Sequence, residues 1–164
     1  MRDQFKLNFI DLPLDCAHII AQLDHDLEHT VQGDTAFESR RVWRKPIDID
    51  ERLLNMLLQA NADFYGFDLD GTIECNFARY EMGDHYQAQH MDCETGREHQ
   101  RKISFTLMLN DDYEGGEFGT QYEQVVTKAG RLIVFPSYLL HSVNAVTQGT
   151  RYVIYGFLSG PDWR

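Results

Sequence analysis

Beyond Tyr65 the sequence breaks into eight short β-type runs with no helical pattern between them. They lie at 72–80, 86–92, 102–110, 117–120, 123–126, 131–135, 141–146 and 151–158. Turn residues punctuate them at Gly71, Gly83-Asp84, Gly115-Gly116, Gly130, Pro136 and Gly149. Short strands at such close spacing predict a sandwich or jelly roll, so the fold class is mainly β with an α+β organisation. Ahead of them lie two helical patterns. Asp15 can cap a helix whose apolar stripe is Ile19, Ile20, Leu23 and Leu27, and 46–60 carries Ile49, Leu53, Met56 and Leu57 at helical spacing. The polar stretch 33–45 between them reads as a loop or an edge strand. Both helices are expected to pack on one outer sheet as a layer of the same domain. The expected organisation is therefore one domain over 1–164, with helical support over about 1–62 and a jelly-roll core over about 65–159.

Composition excludes several classes. Lys and Arg number 15 against 26 Asp and Glu, a formal charge of −11, and no basic cluster interrupts that balance. A binder of phosphate backbones needs a basic stripe, so nucleic acid is not an expected partner. Hydrophobic residues at 43% and charged residues at 25% argue against disorder. Cys16, Cys75 and Cys93 are too few for a disulfide framework. No run approaches 18 apolar residues and the first ten residues lack a signal-type core, so no membrane span is expected and the expected setting is cytoplasmic.

Several local motifs read more simply than they look. His25-Asp26-Leu27-Glu28-His29 has H-x-x-E-H spacing, which on a helix places two histidines on one face. That face lies about 200° from the apolar stripe, so both histidines are expected in solvent. Asp68-Leu69-Asp70-Gly71 resembles the start of a calcium loop, but the twelfth position is Arg79, so a turn is expected. Asp111, Asp112 and Glu114 read as a solvated hairpin loop.

The constellation around His90-Met91-Asp92 is stronger. Residues two apart at a strand end share a face, so His90 and Asp92 can offer two metal ligands together. His141 opens another strand run and can supply a third, and Arg151 opens the last run ten residues later. Two histidines and one carboxylate leave three metal positions open, the arrangement of non-haem Fe(II) oxygenases. A nearby arginine can clamp an organic carboxylate with two parallel hydrogen bonds.

With these residues in place, the sequence resembles the Fe(II)/2-oxoglutarate dioxygenases of the prolyl 4-hydroxylase-like branch. The resemblance runs through Tyr80, Gly83-Asp84, Tyr86, His90 and Asp92, then Arg101 to Asn110, Tyr113 to Phe118, Ala129 to Ser137, and His141, Val146, Gly149 and Arg151. It implies a double-stranded β-helix, which agrees with the strand count. It also implies that His90, Asp92 and His141 ligate Fe(II) and that Arg151 pairs with the distal carboxylate of 2-oxoglutarate. Tyr80 would line the cosubstrate pocket, and Arg101 and Phe157 would meet the substrate near its mouth. The implied activity is hydroxylation of a C–H bond with O2 as oxidant and succinate and CO2 as co-products, with ascorbate as an accessory. The implied substrate is a prolyl residue of a peptide or protein. Free proline, another amino acid or a small metabolite is the alternative, and an inactive jelly-roll binding module is the non-enzymatic one.

Strand alternation adds to this reading. If Arg151 faces the pocket, so do Val153, Tyr155 and Phe157; His141 would bring Val143 and Ala145, and Tyr80 would bring Ala78 and Asn76. One departure stands out. Met108 occupies a position where the resemblance implies a polar partner for the distal carboxylate, so Tyr155 or a water is expected to replace it. Cys93, His85 and His99 lie near the site in sequence but are not expected to be ligands. Asp84, Asp111, Asp112 and Glu114 could form an acidic rim favouring a basic or neutral partner. Selectivity is expected from the loops at 33–45 and 93–100.

Overall fold

The computed structural model describes residues 5–33, 40–93 and 96–163. In chain order the strands are β1 (Asn8–Asp11), β2 (Glu28–Gln32), β3 (Arg40–Pro46), β4 (Ile73–Tyr80), β5 (His85–His90), β6 (Arg101–Met108), β7 (Glu114–Gly115), β8 (Phe118–Thr120), β9 (Arg131–Pro136), β10 (His141–Val143), β11 (Val146–Gln148) and β12 (Arg151–Ser159). Two α-helices join them, α1 (Cys16–Leu23) and α2 (Glu51–Ala60). Each begins at an aspartate cap. The Asp15 carboxylate accepts from the His18 amide, and Asp50 accepts from the amides of Arg52 and Leu53. The cap at Asp50 explains why α2 starts later than apolar spacing predicts, since Pro46 still belongs to β3.

The main sheet runs β1-β9-β6-β12-β4-β3-β5-β10-β8, with β2 added on β3, and every pairing is antiparallel. β7 and β11 form a separate ribbon. Period-two alternation splits the apolar residues of the sheet into two cores. Ile103, Phe105, Leu107, Ile154 and Leu158 point outward and bury Leu53, Leu57 and Ala60 of α2, with Ile19, Ile20 and Leu23 of α1 alongside. Fully burying a side chain such as Leu57 contributes about 1.5–3 kcal/mol, which is what docks a ten-residue helix. Ala78, Met108, Ile133 and Val153 point the other way and meet Phe118 of β8 and Val143 of β10. That second core brings the two ends of the sheet face to face, giving the curled jelly-roll architecture.

The first 62 residues contribute strands as well as helices. β1 extends the sheet edge along β9, and Arg131 and Lys128 both bond Asp11 there. β3 is not an edge: it pairs β2, β4 and β5, because Arg40, Val42 and Arg44 alternate with outward residues and Val42 is completely buried. The rest of the stretch read as a loop, 34–39, lies outside the described residues, as do 94–95 of the second expected loop.

The helix through His25 and His29 is corrected. α1 stops at Leu23, His25 is exposed in the bend, and His29 is on β2, stacked at 4.4 Å on Trp43. Residues 123–126 make a single bridge, Gly119 to Gln124, instead of a strand. The run 141–146 divides into β10 and the start of β11, where the Asn144 amide turns away to the Glu117 carbonyl. Asp70 does form the expected turn, accepting from the Thr72 amide at 2.9 Å.

Candidate metal centre

His90 ends β5 and His141 begins β10, and the two are direct partners across the antiparallel ladder. Asp92 follows in a turn that is pinned by its own amide to the Ser137 carbonyl at 2.8 Å. The three side chains converge: Asp92 carboxylate oxygens lie 3.5 Å from His90 Nε2 and 3.4 Å from His141 Nε2. One ligand atom from each lies within 4.8 Å of the others, the one such group among the described residues.

Both imidazoles are oriented in the same way. His90 Nδ1 donates to the Ala88 carbonyl and His141 Nδ1 to the Leu139 carbonyl, each at 2.8 Å. A carbonyl only accepts, so Nδ1 carries a proton, and Nε2 faces Asp92 as a ligand lone pair whenever the ring is neutral. Three such groups converging in a buried site can share a metal ion or, without one, a proton between His141 and Asp92. The titration directions favour that shared proton when no metal is bound. Burial alone pushes Asp92 up, yet His141 and His90 hold it well below the usual carboxylate range. Burial pushes His141 down, and Asp92 outweighs that to raise it. Ser104 Oγ donates to Asp92 at 2.6 Å and sits 2.9 Å from Ser137 Oγ, so the carboxylate is oriented from the facing strands. Tyr86 stacks on the His90 ring at 3.6 Å, and Phe135 meets the His141 ring at 4.8 Å, which fixes both imidazoles. The nitrogen and carboxylate donor set, closed on one side by protein, fits a divalent transition metal such as Fe(II).

A cavity of about 580 Å³ opens beside this group, between the two faces of the curled sheet. Arg151, the first residue of β12, is 1% exposed and lines it opposite Tyr80. Its guanidinium carbon lies 4.9 Å from the centre of the Tyr80 ring. Its Nε has no hydrogen-bond partner, and no carboxylate of the described residues pairs with it. Gly116 makes room for its stem, since a Cβ there would stand 3.1 Å from Arg151 Cδ. Burial raises the Tyr80 phenol despite the opposing pull of Arg151 and Arg40, so it stays a hydrogen-bond donor.

The remaining expected residues take different places. Val153, Tyr155 and Phe157 line the cavity with Arg151, as do Val143 and Asn76. Met108 is buried in the inner core directly across from Val153. The Tyr155 hydroxyl accepts from Arg40 at 3.0 Å and Arg44 at 3.3 Å. Arg101 lies 3.7 Å above the Phe157 ring and bonds Glu74 at 2.6 Å and the Asp92 carbonyl at 3.2 Å. Cys93, His85 and His99 are not in the three-residue group. Cys93 is buried beyond the end of β5. The expected acidic rim is absent from the cavity wall. Asp84 is buried against His29 and Arg41, and Asp111 and Asp112 bond the Ala129 amide and Asn110. Sequence reasoning missed Arg40 and Arg44, and it assigned no role to Tyr86 or Ser104 although both lie in the matching motifs. Alternation of Arg40, Val42 and Arg44 would have revealed the first two once 40–46 was taken as a strand. The alternation of Ser104 and Thr106 with Ile103, Phe105 and Leu107 was the signal for Ser104.

A jelly roll carrying a two-histidine, one-carboxylate face beside an arginine-floored cavity defines a class of mononuclear metal oxygenase. The chain belongs to the 2OG-Fe(II) oxygenase superfamily, whose family model matches residues 75–159. The cofactors of that family are Fe(II) and 2-oxoglutarate, with O2 as the oxidant, and the donor set described above fits the iron. The chain is 42% identical over 144 residues to a PKHD-type hydroxylase of Rippkaea orientalis, covering 80% of this chain and 60% of the relative. It is 29% identical over 136 residues to one of Prochlorococcus marinus, covering 79% of this chain and 61% of the relative. In such alignments it spans no more than about three fifths of the curated relative's length. Among solved structures the fold is similar to a prolyl-4-hydroxylase of Pseudomonas putida, with a TM-score of 0.74, 22% identity, and 94% of this chain and 92% of that chain covered. It is also similar to a prolyl hydroxylase of Trichoplax adhaerens in complex with a hypoxia inducible factor peptide fragment, with a TM-score of 0.72, 17% identity, and 96% and 84% covered.

Proposed function

We propose that this chain is an Fe(II)- and 2-oxoglutarate-dependent dioxygenase that hydroxylates a C–H bond of a prolyl residue in a peptide or protein, acting as one domain over 1–164. The observation that carries it is the buried Arg151, without a carboxylate partner among the described residues, on the same cavity as the convergent His90, Asp92 and His141. In this reading His90, Asp92 and His141 hold Fe(II) through Nε2, carboxylate oxygen and Nε2. When bound with 2-oxoglutarate and O2, the iron supplies oxidation of a C–H bond to an alcohol, coupled to decarboxylation of the cosubstrate to succinate and CO2. Arg151 takes the distal carboxylate of 2-oxoglutarate, which neutralises a guanidinium that burial would otherwise leave costly. Tyr80, protonated, borders that carboxylate and can donate to it. Val153 and the aromatic rings of Tyr86 and Phe135 keep water from the reacting centre. Arg101 and Phe157, stacked at the cavity wall, offer a flat surface to the residue that carries the target bond. The prolyl hydroxylases among its structural neighbours support the choice of substrate.

The test incubates the protein with Fe(II), 2-oxoglutarate, O2 and proline-containing peptides, then measures peptide mass and succinate. One added oxygen per succinate is expected. Asp92→Ala should abolish both signals, and 2-oxoglutarate consumption that survives in that variant would overturn the assignment.

A further inference from the structure

The described arginine side chains fall into two sets. Arg41, Arg52, Arg79, Arg101 and Arg131 each pair with a carboxylate. Arg40, Arg44 and Arg151 pair with no carboxylate among the described residues, and all three line the cavity. In a chain with 26 acidic residues and 15 basic ones, leaving three guanidinium groups unmatched in one concavity is a property of that concavity.

The proposed function accounts for one of the three. 2-Oxoglutarate has two carboxylates: one belongs at the metal and the other at Arg151. None remains for Arg40 and Arg44. These two stand on one face of β3, four residues apart with the buried Val42 between them. Both donate to the same oxygen, the Tyr155 hydroxyl, at 3.0 and 3.3 Å. Two cations gathered on one neutral acceptor repel each other unless an anion sits between them. Tyr155 then has both lone pairs engaged, and its own O–H is left to donate. Arg40 Nε is buried with no partner of its own. The group is close to the chemistry, because the Arg40 guanidinium lies 4.9 Å over the Tyr86 ring, which itself stacks at 3.6 Å on His90. Across the cavity Arg101 already has Glu74 and Glu98, so with Arg151 taken by 2-oxoglutarate the uncompensated positive charge lies on the β3 side.

We propose that Arg40, Arg44 and the Tyr155 hydroxyl form a carboxylate subsite, so that the substrate presents a carboxylate next to the carbon that is hydroxylated. This rests on the dioxygenase reading above and narrows its substrate class. It also reverses the sign of partner that net charge alone suggests, because the charge that matters is on the cavity wall. Two sources can supply the group: an acidic side chain beside a peptidyl proline, or the α-carboxylate of proline itself.

The experiment uses the Fe(II)- and 2-oxoglutarate-loaded protein. Blocked pentapeptides with a central proline carry Asp, Asn or Lys at one flanking position, and L-proline is compared with L-prolinamide. Binding is measured without O2 by calorimetry and hydroxylation with O2 by mass spectrometry. A carboxylate probe should bind and react at least about tenfold better than its neutral partner, as expected for charge-assisted hydrogen bonds. A preference among the peptides assigns the group to a side chain, and one between proline and its amide assigns it to the α-carboxylate. Arg44→Gln and Arg40→Gln should each bring the ratio towards one, while Arg44→Lys should keep part of it. Equal binding of charged and neutral probes by the unaltered protein overturns the subsite, whatever the variants do. Absence of any 2-oxoglutarate turnover overturns the dioxygenase reading instead, and the anaerobic binding ratio still decides the subsite.

Discussion

Ser104 shares the inward face of β6 with Thr106 and Met108, and its hydroxyl holds the carboxylate at the centre of the site. Removing it should weaken metal binding without disturbing the fold. Ser104→Ala is expected to lower Mn(II) or Fe(II) affinity by about 10–100-fold, as for other partners that orient a metal ligand. A metal titration with an unchanged dissociation constant would assign that orientation to Ser137 or the backbone instead. The site should also respond to pH with a definite sign. Metal needs His141 neutral, and Asp92 raises that imidazole above its ordinary 6.5. Metal affinity is therefore complete above the raised value and falls as pH drops through it, beginning on the alkaline side of 6.5. In the metal-free protein the sign reverses. The protonated imidazole beside Asp92 stabilises the fold below 6.5 and that contribution is lost as pH rises through the raised value. Titrating metal affinity and thermal stability across this window checks both. His90, Asp92 and His141 were legible as residues because their chemistry is written in side-chain type and spacing. Ser104 was not, because its role depends on which strand lies opposite Asp92.

At the scale of elements β12 is the strand on which the rest depends, paired with β4 along one edge and β6 along the other. Gly156 lies at its middle, where a Cβ would stand 2.0 Å from the Glu74 carbonyl and 2.8 Å from the Phe105 ring. Gly156→Ala must therefore push β4 or Phe105 aside. We expect a loss of about 1–3 kcal/mol or more in denaturant unfolding, together with impaired cosubstrate binding through Arg151 on the same strand. An unchanged midpoint would mean that the two strands can separate at no cost. At the sheet edge β1 is tied down by Asp11, whose carboxyl is lowered to about 2 by its bonds to Arg131 and Lys128. That tie is fully present above the ordinary 3.8 and is lost as pH falls towards 2. Amide protection in Asn8–Asp11, taken relative to the intrinsic exchange rate at each pH, should fall at pH 2.5 compared with pH 5, ahead of the central strands. The helix cap at Asp15 and most strands after Tyr65 were readable from local pattern, whereas the cap at Asp50 was not read. β3 was not, because a strand rich in arginine looks like a loop until its two neighbours are known.

For the whole molecule, metal and cosubstrate bind only the folded state, so they should stabilise it by mass action. At about a hundredfold excess over the dissociation constant, Mn(II) with 2-oxoglutarate should add about 2.7 kcal/mol and raise Tm by several degrees. Asp92→Ala should show no such shift, and an equal shift in that variant would place the metal elsewhere. The chain's order and alternation determined a mainly β fold, its helical layer, three candidate ligands and the face shared by Arg151, Val153, Tyr155 and Phe157. These are local properties, set by a period of two along a strand and by donor chemistry. Only the tertiary structure decided that β3 crosses the sheet between β4 and β5, that Arg40 and Arg44 meet at Tyr155, and that the acidic loops lie away from the cavity. Those outcomes depend on register between strands far apart in sequence, where one residue of slip would turn every side chain to the opposite face.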